Sequence, residues 1–178
     1  MEKNIEQLKQ MDFQTIISNA VDKMRSEELK NMPVLTLGEM IAKMEAIVDY
    51  WNKKEKRKDE KEPIVMFDFE YAYPTGLSSW RGVYSELALN FSFLGYGIDG
   101  YVKVEGFEPK PPTISEFLNI LKGAVGKTFI GWKGGEFVMG KSTPVWVAND
   151  GNGGNTAVVG VKDEGYEVII LTQYISDD

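Results

Sequence analysis

Residues able to do chemistry crowd into one stretch, Asp68 to Tyr84, which reads Asp-Phe-Glu-Tyr-Ala-Tyr-Pro-Thr-Gly-Leu-Ser-Ser-Trp-Arg-Gly-Val-Tyr. Tyr71, Tyr73, Trp80 and Tyr84 offer flat aromatic surface, and stacking a nucleobase on such a ring is worth ~1–3 kcal/mol. Arg81, set between Trp80 and Gly82, can make bidentate contacts to phosphate or stack in its own right. Thr75, Ser78 and Ser79 supply hydroxyls. Farther along, Lys133 and Asn149 are second-rank candidates for polar contacts, beside Lys141 and Thr143. These are the residue types of a nucleotide pocket. An aromatic-rich protein–protein patch draws on the same types, and so does a long hairpin connection whose rings cap a core.

The chain's absences narrow the chemistry. Its 178 residues include no histidine and no cysteine, so Ser-His-Asp and Cys-His catalysis and His- or Cys-ligated zinc are excluded. Catalysis would have to use carboxylates with Mg²⁺, a Ser-Lys pair, or Tyr, Lys and Arg alone. That balance favours a binding protein with no catalytic residue, metal or cofactor. A net charge of −7 disfavours nonspecific nucleic-acid binding, which needs clustered Lys and Arg. Only three arginines are present, and Arg25 and Arg57 lie in charged surroundings, whereas Arg81 does not.

Other constellations are weaker. Asp68 and Glu70 alternate at a strand end and could hold Mg²⁺, but no third carboxylate supports them. Hydrogen-bonded or solvated acids are the better account. Gly131 to Glu136 lacks both the Walker ending and the Rossmann spacing, and Gly126-Lys127-Thr128 lacks the glycine that opens a Walker motif. Asp150 to Asn155 reads as a hairpin tip or lid.

The elements that must position these residues follow from periodicity. Ile5 to Met24 has amphipathic helical spacing, which predicts a helical extension over residues 1–33 ahead of a single domain over 34–178. Thr36-Leu37-Gly38-Glu39 and Thr113-Ile114-Ser115-Glu116 are capping boxes. They open helices expected to run to about Tyr50 and to stop at Gly126. Lys53 to Glu62 is a mixed-charge run expected to be a solvated loop or frayed helix end. Ile64 to Phe67 reads as a buried strand. Tyr84 to Phe93 alternates, with Leu87, Leu89, Phe91 and Phe93 on one side and Glu86, Ala88, Asn90 and Ser92 on the other. A short strand is possible at Tyr101 to Val104. Further strands are expected at Thr128 to Trp132, Val145 to Asn149, Thr156 to Val161 and Glu167 to Tyr174, with a turn at Asp163 to Gly165. The expected class is α+β: a mainly antiparallel sheet with two or three helices packed on one face. No apolar run reaches the ~20 residues of a membrane span. The polar N-terminus lacks a signal peptide's apolar stretch, so the expected location is cytoplasmic.

At Thr36 to Glu39, Phe67-Asp68-Phe69, Pro74 to Tyr84 and Thr143-Pro144-Val145-Trp146-Val147-Ala148-Asn149, the chain resembles the phage anti-CBASS sponges. The resemblance covers about Thr36 to Tyr174. It implies a protein in the host cytoplasm that binds the cyclic di- or oligonucleotide signals of bacterial anti-phage defence, such as 3′,3′-cGAMP, without cleaving them. It also implies a homo-oligomer, a tetramer. The residue reading keeps a second expectation open: a protein–protein inhibitor or adaptor that uses the aromatic stretch 71–84 against a host protein.

Overall fold

The computed structural model describes residues 32–69, 71–79, 87–93, 110–130, 135–148 and 155–175. Both capping boxes form. In α1 (Leu37–Lys53) the Thr36 hydroxyl accepts from the Glu39 N–H at 3.3 Å, and the Glu39 carboxylate accepts from the Thr36 N–H at 2.8 Å. The Thr36 backbone and hydroxyl bonds hold the Glu39 carboxyl below the usual carboxylate range. In α2 (Ile114–Ala124) Thr113 and Glu116 repeat the arrangement at the same distances. Here Glu62 adds a third acceptor, taking the Ser115 N–H at 3.0 Å, so α2 has its first orphan donors satisfied from both sides. Gly126, at φ 78°, ends the helical turn as expected and donates to the Met139 carbonyl at 2.8 Å.

α1 runs three residues past the expected stop at Tyr50 and draws the start of the charged run into the fold. Lys54 Nζ lies 3.9 Å from the centroid of the buried Trp51 ring and 2.7 Å from Glu60. Most of the run is exposed, as expected of a solvated loop or frayed helix end, but neither end of that ion pair is fully solvated. The Lys54 bond, followed by the Arg57 backbone N–H, lowers the Glu60 pKa.

Eight strands are present among the described residues: β1 (Ile64–Phe67), β2 (Ala72–Ser78), β3 (Leu87–Phe93), β4 (Thr128–Ile130), β5 (Glu136–Val138), β6 (Val145–Val147), β7 (Thr156–Asp163) and β8 (Glu167–Tyr174). Six form one sheet in the order β1-β8-β7-β6-β3-β2, and β4 pairs with β5 in a separate ribbon. Antiparallel pairs outnumber the parallel pairs β1–β8 and β3–β6. The class is α+β, as expected. The turn between β7 and β8 has Gly165 at φ 89°, its N–H bonded to Asp163 at 2.8 Å.

The sheet cannot be flat. Five inter-strand gaps of about 4.8 Å would put β1 and β2 about 24 Å apart. The chain from Phe67 to Ala72 reaches about 17 Å at full stretch. The sheet therefore curls until its two end strands approach, and Phe67 of β1 meets Phe91 of β3 at 6.3 Å between ring centroids. Both helices contribute to the core inside that curl. Leu37, Met40 and Met44 of α1 and Ile114, Phe117 and Leu121 of α2 are buried in one cluster with Val65, Leu87, Leu89, Val145, Val158, Val168 and Ile170. Gly38 lets the first turn of α1 lie against the chain at Lys141: a Cβ there would stand 3.0 Å from the Lys141 carbonyl oxygen. Residues from Val34 onward form one compact unit. Among the described residues no helix is long and apolar enough to cross a membrane.

Candidate functional site

The stretch expected to be a loop is mostly strand. Pro74-Thr75-Gly76 has the composition of a turn, yet it lies inside β2, paired with β3 from Ala72↔Phe93 to Ser78↔Ala88. The misfit is absorbed by a bulge at Thr75: Pro74 pairs with Phe91 and Gly76 with Asn90, which leaves Thr75 as an extra, exposed residue. Proline and glycine sit comfortably in such an edge strand. The extra residue also resets the alternation. Tyr73 and Ser78, five positions apart, would face opposite ways in a regular strand. With Thr75 bulged, Tyr73, Gly76 and Ser78 all share the face of Ser92, Asn90 and Ala88.

Each expected site residue can now be placed. Tyr71 is 73% exposed and has φ 53°. It sits at the third position of a tight turn closed by the Ala72 N–H on the Phe69 carbonyl at 3.0 Å, a position that favours glycine or asparagine. Tyr73 corrects the expectation of an accessible stacking ring. It is 1% exposed, because β2 carries it into the sheet opposite Ser92, and its hydroxyl is buried with no hydrogen-bond partner among the described residues. Thr75 is exposed at the bulge. Ser78 is half-buried and donates to Asn90 Oδ1 at 3.0 Å. Ser79 is 5% exposed and its hydroxyl donates to the Ile130 carbonyl at 2.7 Å. A serine has one proton to donate, so Ser79 ties the end of β2 to β4 and is not the ligand donor expected. Trp80, Arg81, Tyr84, Lys133 and Asn149 lie outside the described residues, as do Glu70, the helix expected at Ile5 to Met24, the strand expected at Tyr101 to Val104 and all of the loop Asp150 to Asn155 except the buried Asn155.

Asp68 is a structural acid. Its carboxylate accepts from the Thr172 N–H at 3.0 Å and the Thr172 hydroxyl at 2.6 Å, fastening the end of β1 to β8. Among the described residues no three acidic side chains gather as a metal site would require.

Sequence reasoning passed over Asn90 and Trp146. The register sets Ser78, Ala88, Trp146, Ala157 and Gln173 in one row across five strands, on the face turned away from the helices. The signal was present in the alternation of β3, which already placed Ala88, Asn90 and Ser92 together opposite the apolar residues. No family model, curated protein or solved structure matches the chain.

Proposed function

We propose that the protein is a non-catalytic binder that sequesters a cyclic di- or oligonucleotide signal of bacterial anti-phage defence, working as a homo-oligomer in the host cytoplasm. The observation that carries this reading is Tyr71. A tyrosine in the left-handed region costs about 1–2 kcal/mol relative to ordinary backbone, and at 73% exposure its ring recovers little of that by packing. Strain of this kind persists where a side chain has work to do at a binding surface. The ring stands at the head of the strand that leads into Trp80 and Arg81, and the chain's lack of histidine and cysteine suits holding better than cutting.

Calorimetry with a panel of cyclic di- and trinucleotides tests the reading, followed by recovery of the ligand after denaturation. Intact ligand is expected. Heat from none of the panel refutes sequestration, and cleaved ligand makes the protein an enzyme. Arg81→Ala should weaken binding about tenfold or more, a loss of about 1.4 kcal/mol, while leaving the melting temperature near that of the unmodified chain.

One observation favours a second reading, a protein–protein inhibitor. Ile130 and Val138 are 66% and 64% exposed on the ribbon that Ser79 ties to β2, which gives the aromatic stretch an apolar neighbour. A host-lysate pull-down that is indifferent to Trp80→Ala counts against it.

A further inference from the structure

Strand edges carry unpaired N–H and C=O groups, and folded proteins cover, cap or charge them because a free edge invites another strand. Several edges here are visibly managed. The six-stranded sheet curls until β1 and β2, its two end strands, lie near each other. Just past β1, the Asp68 carboxylate takes the Thr172 N–H on the edge of β8 at 3.0 Å. In the β4–β5 ribbon, the Ser79 hydroxyl caps the Ile130 carbonyl on the outer side of β4 at 2.7 Å. The outer side of β5 has no such cap among the described residues.

The ladder shows which groups of β5 face outward. The Met139 N–H bonds the Lys127 carbonyl at 2.9 Å. By alternation Phe137 bonds inward to Phe129, and the N–H and C=O of Glu136 and Val138 point away from β4. The outward Ile130 carbonyl, opposite Glu136, fits the same phase. No backbone bond to Glu136 or Val138 from beyond the ribbon occurs among the described residues. Both residues are exposed, Val138 at 64%, and β5 holds neither the lysine nor the proline that guards many edges.

A second β5 fits this edge. Turned about a twofold axis through Phe137, two copies pair antiparallel, with Glu136 opposite the partner's Val138 and Val138 opposite the partner's Glu136. Each outward N–H then meets an outward carbonyl, and no like charges stand opposite each other. Phe137, half-buried, faces the partner's Phe137 in a close pair. The stack it makes with Phe129, at 6.1 Å between centroids and 26° between planes, continues into the partner's rings. Both edges are preformed, whereas a foreign peptide would first have to be ordered.

We propose that β5 is a self-pairing edge, at which two copies of this chain join into a continuous ribbon, β4-β5-β5-β4. A three-residue strand buries too little surface for a permanent dimer, so the association is reversible and rises with concentration. This gives an interface to the homo-oligomer proposed above and does not depend on the ligand.

Sedimentation velocity across a concentration series tests the pairing on the full chain, Val138→Pro, Val138→Glu and Val138→Lys. Proline removes an outward N–H that bonds nothing within the ribbon, and an edge strand tolerates it. The introduced glutamate would stand opposite the partner's Glu136, and the introduced lysine would pair with it. The full chain should self-associate. Val138→Pro and Val138→Glu should each weaken association by about tenfold, since twofold symmetry counts every change twice. Val138→Lys should associate at least as tightly as the full chain. The charge variants change an exposed side chain, so they serve if the proline variant does not fold. Equal weakening by glutamate and lysine overturns the twofold pairing, and so does a Val138→Pro chain that assembles like the unmodified one. A full chain that stays monomeric also overturns it and leaves the edge to a foreign strand. Calorimetry with the cyclic nucleotide panel reads sequestration separately: a panel without heat refutes that reading and leaves the self-pairing to sedimentation.

Discussion

The two faces of the six-stranded sheet are built from different residues. Facing the helices, the strands present Val65, Phe67, Leu87, Leu89, Val145, Val147, Val158, Val168 and Ile170, all buried in one apolar cluster. The opposite face presents Met66, Tyr73, Gly76, Ser78, Ala88, Asn90, Ser92, Trp146, Ala157, Ile169, Leu171 and Gln173. The first set is large, branched and free of polar atoms, which is what a core needs to fill space at crystal-like density. The second mixes apolar residues with small and hydrogen-bonding ones, and among the described residues the Tyr73 phenol has no partner. The helix side holds the apolar cluster, and the other side carries the hydrogen-bonding groups of Tyr73, Ser78, Asn90 and Ser92.

Substitutions should separate the two faces, starting with the helix side. Phe117, fully buried in the cluster, should lose about 3–5 kcal/mol on replacement by alanine, read as a drop in the denaturation midpoint. An equal loss from Ala157→Gly on the other face would erase the contrast. Tyr73→Phe should do the reverse and gain about 1 kcal/mol, because it deletes a buried polar atom that has no partner. If chemical denaturation shows a loss instead, the hydroxyl is bonded in the folded protein. Tyr71→Gly should gain up to about 1 kcal/mol by releasing the strained turn, and should weaken nucleotide binding in the same sample.

The smallest effect is electrostatic and belongs to the helices alone. The Glu39 carboxyl is depressed by its bonds to Thr36. Its contribution is thus fully present above the ordinary glutamate pKa and is lost as pH falls through the lower folded-state value. A carboxyl-carbon NMR titration should place the Glu39 midpoint below that of free glutamate, and Thr36→Ala should move it back up.

What could be read from the sequence divides along local and nonlocal lines. The capping boxes at Thr36 and Thr113 and the glycine turns at Gly126 and Gly165 are each specified within four or five residues, and each forms as expected. The alternation of β3 was equally plain. Pro74-Thr75-Gly76 misled because its turn composition is local, while its conformation is set by pairing with Phe91 and Asn90. The same holds for the parallel pairing of β1 with β8, which no nearby residue encodes. Among the candidate site residues, hydroxyl chemistry was legible at Ser78 and Ser79 but its destination was not. Ser79 answers to a carbonyl at Ile130, far along the chain. Tyr73 was misplaced because the stretch reads locally as a loop, whereas pairing with Ser92 of β3 makes it strand and buries the ring.

The pairing of β1 with β8 also sets an order of events during synthesis. Ile64 pairs with Glu167, so on a ribosome adding roughly 5–20 residues per second β1 waits several seconds for its neighbour. During that interval Ile-Val-Met-Phe is an apolar strand with no sheet to join. The charged run that ends just before it, Lys53 to Glu62, flanks it as gatekeeping residues flank strands prone to aggregate. In the folded chain Lys54 and Glu60 of the same run form an ion pair.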